Sequence, residues 1–219
     1  FLWTDDGFGD FEGYLQVLRA TRRHAVRTDR QRVAEAGLVT RVVLPLEAAR
    51  RPCLLERMAD FHEDTCRRHG GSPYLNRAFF QRLPEFLPNA GWLLAAAFRP
   101  DDLEDPVGLC FLMEGPDTLW SRHWGARIDL PGLHFELTYY LPITHALATG
   151  RRWVDGGRGG QHKAPRGFEP TLSRSWHLPF DPRLRKVYVQ ALPLLNAAAH
   201  RVHAEAQRAL PWRRDTPRT

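Results

Sequence analysis

The sequence predicts a mixed α+β fold with a central, largely antiparallel sheet flanked by helices. Helical stretches occupy both ends of the chain, and three short apolar runs with hairpin-length links follow one another in its middle. No repeat or low-complexity tract interrupts this order. With 219 residues, 43% of them hydrophobic, the chain has enough apolar material for one core. We therefore expect one domain over residues 1–210 and a disordered tail over residues 211–219.

The first half of the chain is expected to contain three helices and one strand. Asp10 is the expected N-cap of a long, arginine-rich helix that ends before Gly37. Residues 38–44 are rich in β-branched side chains and predict a strand. A second helix is expected over residues 46–69 and a short third one over residues 75–83.

The second half is expected to begin with an antiparallel meander and to end with a long helix. Proline, glycine and aspartate residues punctuate it and mark the ends of its elements. The expected elements, in order, are strands over residues 92–98, 107–113 and 118–124, a helix that Pro131–Gly132 opens and Gly150 closes, a short strand ending at Val154, a strand over Ser175–Leu178, and a helix from Asp181 to about Leu210.

A glycine-rich stretch with basic residues is the first candidate binding site. Its glycines are Gly156, Gly157, Gly159 and Gly160, and its polar residues are Gln161, His162, Lys163 and Arg166. Glycine lets the backbone adopt positive φ and approach a ligand closely. Successive N–H groups in such a turn can bind an anion, and an arginine can fork onto a phosphate or carboxylate. The alternative interpretation is a flexible, solvated surface loop.

Three named motifs are excluded by spacing. A P-loop requires Gly-Lys followed by Ser or Thr, whereas Gln161 and His162 separate Gly160 from Lys163, and Ala164 follows. The dinucleotide fingerprint requires a helix after the glycines, which the prolines of this region prevent. The chain also lacks the Gly-x-Ser-x-Gly elbow of serine hydrolases.

A second group of polar residues lies on the predicted helix after Gly132. Helical spacing lets Glu136, Tyr139 and Tyr140 project together, with His134 close by. Glu136 either interacts favourably with the helix dipole or acts as a general base. Just before this helix come Trp124, an ordinary core residue or a substrate contact, and Gly125, which permits a close approach.

Composition and cysteine content narrow the class of partners. The net charge of +6, much of it from arginine, favours anionic partners, although a high-GC genome also raises arginine content. His62, Cys66 and His69 share a helical face, but no second ligand pair accompanies them, so we expect no metal site.

Three unpatterned cysteines and the absence of a long apolar run predict a cytoplasmic protein without a transmembrane segment. Since Phe1 is not methionine, we expect a missing N-terminal part.

Several motifs in one order resemble the peptidogalycan biosynthesis/recognition family, the FemAB-like predicted N-acyltransferases of the GNAT superfamily. They are Thr4–Phe8, Val26–Arg30, Ser72–Arg77 with Phe79–Phe80, Asp117–Leu119 to Trp124–Gly125, Leu133–Glu136 with Tyr139–Tyr140, and His162–Lys163 with Arg166–Phe168, Pro170, Ser175 and His177. The chain departs from the family at Gln161, where a glutamate is usual, and at Gly159, where a glutamine is usual.

The resemblance implies a GNAT-like fold and the transfer of an acyl or aminoacyl group to an amine, as for a cell-wall precursor. Acyl-CoA or aminoacyl-tRNA is the implied anionic donor, although residues 125–132 lack the usual coenzyme A signature. The expected residues are His134, Glu136, His162 and Lys163 for catalysis, and Trp124, Gly125, Tyr139, Tyr140, Gly159, Gly160, Gln161, Arg166, Ser175 and His177 for substrate binding. Two alternatives stay open: a non-catalytic module that binds RNA or a phosphorylated precursor, and an acyl-CoA-dependent transferase of small molecules.

Overall fold

The computed structural model describes residues 1–86 and 91–213, and these form one six-stranded sheet in the order β1-β6-β5-β4-β3-β2. The strands are β1 Leu2–Thr4, β2 Val39–Val43, β3 Trp92–Phe98, β4 Gly108–Glu114, β5 Thr118–Ala126 and β6 Trp153–Asp155. All neighbouring strands are antiparallel except β5 and β6, which are parallel. The predicted α+β fold with a largely antiparallel sheet is therefore confirmed.

Helices cover both faces of this sheet. The α-helices of the described residues are α1 Phe11–Gln16, α2 Ala20–Glu35, α3 Pro45–Ala49, α4 Pro52–Arg68, α5 Arg77–Arg82, α6 Leu133–Phe135, α7 Leu141–Thr149 and α8 Pro182–Arg208. A π-helical turn, Glu136–Tyr140, joins α6 to α7, and 3-10 turns cover Leu83–Phe86 and Ala164–Arg166. Helices α3 to α5 pack on one face, and α1, α2 and α7 pack on the other.

Strand β3 shows why the sheet needs helices on both sides. All of its residues are buried, and successive side chains point to opposite faces. Leu94 and Phe98 join the core beneath α3 to α5, whereas Leu93 and Ala95 join the core beneath α1, α2 and α7. A strand buried on both faces is a continuous apolar run, which is why the sequence marked β3 so clearly.

Two predicted helices are each divided in two. The helix expected from Asp10 begins there, with the Asp10 carboxylate accepting the Gly13 N–H at 2.8 Å, but it stops after Gln16. The helix expected over residues 46–69 is interrupted before Pro52. Proline disfavours helical geometry in the residue before it and suits the first turn of a new helix, so the chain restarts at that position.

One further expectation about the elements was wrong, and one strand was missed. Residues 175–178 form no strand, because they run outside the sheet, where they have no strand to pair with. Strand β1 was not predicted; three residues are too few to show a periodicity.

The end of the chain returns to the body of the protein. The Arg19 N–H donates to the Pro211 carbonyl at 2.8 Å, and Trp212 pairs with Leu18. The disorder predicted for the tail is therefore wrong for residues 211–213, while residues 214–219 lie outside the described residues. Most of residues 171–208 are exposed. This segment, which contains α8, is here called the C-terminal arm.

Candidate functional site

The glycine-rich loop after β6 folds around the Lys163 side chain. Lys163 is only 6% exposed, and its ammonium donates to the carbonyls of Gly157, Arg158 and Gly159 at 3.3, 3.2 and 2.7 Å. Burial lowers the pKa of Lys163, the nearby Asp155 opposes this shift, and Arg122 adds to it. Lys163 thus holds the loop in shape from inside.

This arrangement turns the N–H groups of the loop away from Lys163. In a trans peptide the N–H points opposite to the carbonyl of the preceding residue. Three consecutive carbonyls directed at one ammonium therefore direct the N–H groups of Arg158, Gly159 and Gly160 outward. Gly159 and Gly160 have φ of +71° and +82°, which only glycine adopts readily. None of these three N–H groups donates to a described residue.

Beside the loop, two histidines and two aromatic residues form a cluster. The Tyr139 hydroxyl lies 3.0 Å from His162 Nε2. The His134 ring centroid lies 5.7 Å from that of His162 and 4.4 Å from that of Trp124. Residues from α6, the π-helical turn, β5 and the loop thus converge on one place.

A cavity of about 580 Å³ opens between the cluster and the loop. Its walls combine aromatic rings, two arginines and the glycine backbone. The lining residues are His69, Cys110, Ser121, Arg122, Trp124, His134, Thr138, Tyr139, Gly156, Gly157, Arg158, Gly159, Gly160, His162 and Lys163.

His134 and His162, two of the residues that line the cavity, are held neutral near pH 7. Burial lowers the pKa of His134 to about 3, and the positive charges at His162, Arg166 and Lys163 add to the effect. Burial also lowers the pKa of His162, helped by Lys163 and Arg166. Tyr139 stays protonated, because burial raises its pKa. A neutral imidazole next to a protonated phenol can accept a proton from a substrate.

A second set of polar side chains lies at α2, and its members, Asp29, Tyr140 and Arg166, are hydrogen-bonded to one another. Asp29 Oδ2 accepts from the Tyr140 hydroxyl and from Arg166 Nη2, both at 2.7 Å. Arg166 Nε donates to the Tyr140 oxygen at 2.7 Å, and the guanidinium carbon lies 3.4 Å from the centre of the Phe135 ring. Arg166 therefore joins the loop to α2 rather than facing the cavity.

Glu136 belongs to this second region as well. The side chain is buried, and its two oxygens accept from Arg30 Nε and Nη2 at 3.0 and 3.2 Å. Burial raises the pKa of Glu136, and Arg30 opposes this shift. The carboxylate also borders a separate cleft of about 500 Å³ beside α2. The structure thus does not bring Glu136 together with His162 and Lys163.

The π-helical turn accounts for this division. We expected Glu136, Tyr139 and Tyr140 to project together, as in an α-helix. The wider turn keeps Glu136 and Tyr140 directed at α2 but places Tyr139 toward the loop. Such turns are rare and frequently occur at functional sites.

Four other residues expected to bind substrate lie outside the cavity lining. Gly125 permits a close approach, as expected, but by a helix: a Cβ there would lie 2.6 Å from Phe61 Cβ on α4. Gln161 is exposed, and no hydrogen bond joins it to a described residue. Ser175 and His177 contact each other at 2.9 Å on the C-terminal arm, where the His177 ring also packs against Tyr188.

Sequence reasoning missed several residues of these two regions, among them Arg122, Arg158 and Asp29. Arg122 occupies the position where the β4–β5 register shifts, and Arg158 is exposed at the cavity. Asp29 is the acidic partner of Arg166; it lies within the Val26–Arg30 motif, but no role was expected for it. Among the described residues, no group of three His, Cys, Asp or Glu side chains could hold a metal ion. In the same part of the chain, no helix has the length and hydrophobicity needed to cross a bilayer.

Comparison with known proteins identifies one family. The model of the FemAB-like family, described as peptidogalycan biosynthesis/recognition, matches residues 1–214. No curated protein matches the chain.

Two solved structures are similar over part of their length. One is the C-terminal domain (DUF2156) of a putative lysylphosphatidylglycerol synthetase from Agrobacterium fabrum, with 14% identity, a TM-score of 0.44, and coverage of 70% of this chain and 44% of that one. The other is a conserved protein of unknown function from Bacteroides thetaiotaomicron, with 17% identity, a TM-score of 0.44, and coverage of 78% and 59%. The chain thus covers less than two thirds of either structure.

Proposed function

Since the chain belongs to the FemAB-like peptidogalycan biosynthesis/recognition family, we propose that it transfers an acyl or aminoacyl group to an amine. The reaction takes place in the cavity between the glycine-rich loop and the His134–His162 cluster. The acceptor is an amine of a cell-wall precursor, and the donor is an aminoacyl-tRNA or an acyl-CoA. Both donors carry phosphate groups, which suits a site with outward N–H groups and exposed arginine.

The observation that carries this proposal is the contact between Tyr139 and His162 at the edge of the cavity. In the tautomer with the proton on Nε2, His162 donates to the Tyr139 oxygen. This leaves Nδ1, which has no partner among the described residues, to accept a proton from the amine. The lowered pKa of His162 supports this role, because the ring is then neutral at pH 7.

The same tautomer of His162 leaves the Tyr139 O–H free to act as a hydrogen-bond donor. When its oxygen accepts from His162, its own O–H is available to donate to the oxyanion of the tetrahedral intermediate. The outward N–H groups of Gly159 and Gly160 bind either that oxyanion or a phosphate of the donor. Arg158, which forms no side-chain hydrogen bond or ion pair with a described residue, adds a cation.

The acyl transfer needs no reactant besides the donor and the acceptor amine. The amine nitrogen attacks the acyl carbon, a C–N bond forms, and the bond from that carbon to the leaving oxygen of tRNA or sulfur of coenzyme A breaks. The proton lost by the amine moves to His162 Nδ1 and then to the leaving atom. Lys163 takes no part in this transfer, because its ammonium is occupied by three carbonyls.

A transfer assay with the purified chain tests the proposal. Radiolabelled aminoacyl-tRNA and acyl-CoA are each incubated with lipid-linked or nucleotide-linked cell-wall precursors, and amide product is counted. His162→Ala should lower the rate about 100- to 10,000-fold, the usual range for loss of a general base. His24→Ala is the matched control, since His24 is exposed on α2 and does not line the cavity. Equal rates for wild type and His162→Ala would refute the assignment.

The second candidate is a non-catalytic module that binds RNA or a phosphorylated precursor. Gln161 favours it, because the amide stands where the family usually has a carboxylate. This candidate predicts binding that weakens steeply with salt and no product with any donor. Product formation by the Gln161→Glu variant alone would point to a site that has lost its activity.

A further inference from the structure

The C-terminal arm carries an apolar stripe that the described residues leave exposed. Helix α8 has six exposed aliphatic side chains; Val189 projects from the opposite side, and the other five lie on this stripe, each more than half exposed. They are Leu184, Val187, Leu194, Leu195 and Val202. Their spacing of i, i+3, i+10, i+11 and i+18 places them along one side of an α-helix. An aliphatic row of this length is unusual on a surface that faces only water.

The segment that leads into α8 adds larger apolar groups. Trp176 and Phe180 are 87% and 88% exposed, and Leu178 is also mostly exposed. The segment stays beside the helix, because Arg185 Nε donates to the Pro179 carbonyl at 3.2 Å and the His177 ring packs on Tyr188. The aromatic residues and the aliphatic stripe thus belong to one arm.

The arm is also basic. It contains six arginine and lysine residues, namely Arg174, Arg183, Arg185, Lys186, Arg201 and Arg208, and two acidic ones, Asp181 and Glu205. On a helical projection Arg185 and Lys186 lie on the side away from the stripe, and Arg183, Arg201 and Arg208 lie along its border. A helix with one apolar side, basic residues on the other and exposed aromatic residues nearby suits the surface of an anionic bilayer.

We propose that the C-terminal arm docks on an anionic phospholipid bilayer, with α8 lying in the plane of the membrane surface. A second copy of the chain fits the stripe less well, since pairing two arms would bring two basic segments together. An anionic bilayer, in contrast, accepts the apolar side chains among its acyl chains and pairs the arginines with its headgroups. The docking surface does not depend on the transfer reaction, because neither His162 nor the glycine-rich loop is part of it.

Vesicle sedimentation with the full chain tests this proposal. The probes are vesicles of equal parts phosphatidylcholine and phosphatidylglycerol, and vesicles of phosphatidylcholine alone. We expect binding to the anionic vesicles, weakened by salt, and little binding to the neutral ones. Leu194→Gln with Leu195→Gln should weaken it at least about tenfold. Arg183→Gln with Arg201→Gln, which changes two arginines at the border of the stripe, should weaken it about 25-fold, from about fivefold for each charge.

Two control variants match these pairs. Leu44→Gln with Leu46→Gln changes exposed leucines outside the arm, and Arg22→Gln with Arg32→Gln changes exposed arginines of α2. Neither should alter binding by more than about twofold. Equal binding to both kinds of vesicle, equal losses in the controls, or no binding at all would overturn the proposal. So would a dimer in sedimentation velocity that Leu194→Gln with Leu195→Gln converts to a monomer.

Discussion

Tyr139 and Tyr140 are neighbours in the chain, yet their hydroxyls belong to two different regions. The Tyr140 hydroxyl lies between Asp29 and Arg166, in a network in which each member has a charged or hydroxyl partner. The Tyr139 hydroxyl contacts His162 at a cavity where the N–H groups of Gly159 and Gly160, and His134 Nδ1, have no partner among the described residues.

The difference separates residues that hold the fold from residues that are free to bind a ligand. Buried polar groups are nearly always hydrogen-bonded, so a satisfied network is explained by stability alone. Donors and acceptors beside a cavity that have no protein partner are available to a ligand. By this criterion Glu136 and Arg166 belong to the fold, and His162 with Gly159 and Gly160 belongs to the site.

The largest effect is expected for Asp29→Ala, which should break the network. It leaves the Arg166 guanidinium buried without its carboxylate partner, a change that typically destabilises by about 3 to 5 kcal/mol. Urea unfolding measures the loss. A change below about 1 kcal/mol would mean that the network does not hold α2 and the loop together.

The two tyrosines provide a matched pair of variants. Tyr140→Phe removes hydrogen bonds to two charged groups and should lower the free energy of unfolding by about 2 kcal/mol. Tyr139→Phe should lower it by about 1 kcal/mol but reduce transfer about 100- to 1,000-fold, since the phenol is expected to donate to the oxyanion. Urea unfolding and the transfer assay are run on both. The reverse pattern would exchange the roles assigned to the two regions.

A smaller change in the free energy of unfolding is expected when the pH is lowered, because His134 is neutral in the folded protein. Its pKa is lowered from 6.5 to about 3, so the unfolded chain binds a proton at a pH where the folded protein does not. The stability contributed by neutral His134 is therefore complete above pH 6.5 and is lost as the pH falls toward 3. Between pH 6.5 and 5.5, wild type should lose about 1 kcal/mol more than His134→Gln. Parallel unfolding curves for the two proteins would contradict this.

The sequence predicted the framework of the sheet well, because strands buried on both faces are continuous apolar runs. Strand β3 was predicted over its whole length, and the caps at Asp10 and Asp181 were predicted from local chemistry that acts within three residues. The loop glycines and His162 were also predicted as site residues, and they line one cavity.

What the sequence did not reveal depends on distant contacts and on local helix geometry. The Arg30 partner of Glu136 is 106 positions away, and no spacing rule relates them. The π-helical turn separates Tyr139 from Glu136, although α-helical spacing placed them together. Lys163 was expected to take part in catalysis, but its ammonium donates to three loop carbonyls and has no free donor left for a substrate.

The anchoring of the last described residues has a consequence for how the chain folds. The hydrogen bond from Arg19 Nε to the Trp212 carbonyl joins residues 193 positions apart, so everything between them is synthesised before it can form. The entropy lost on closing so long a loop grows only with the logarithm of its length, yet such distant contacts form slowly. We therefore expect the arm to be fastened late, after the sheet has assembled, and a nascent chain lacking residues 211–213 to have its sheet but no fixed position for α8.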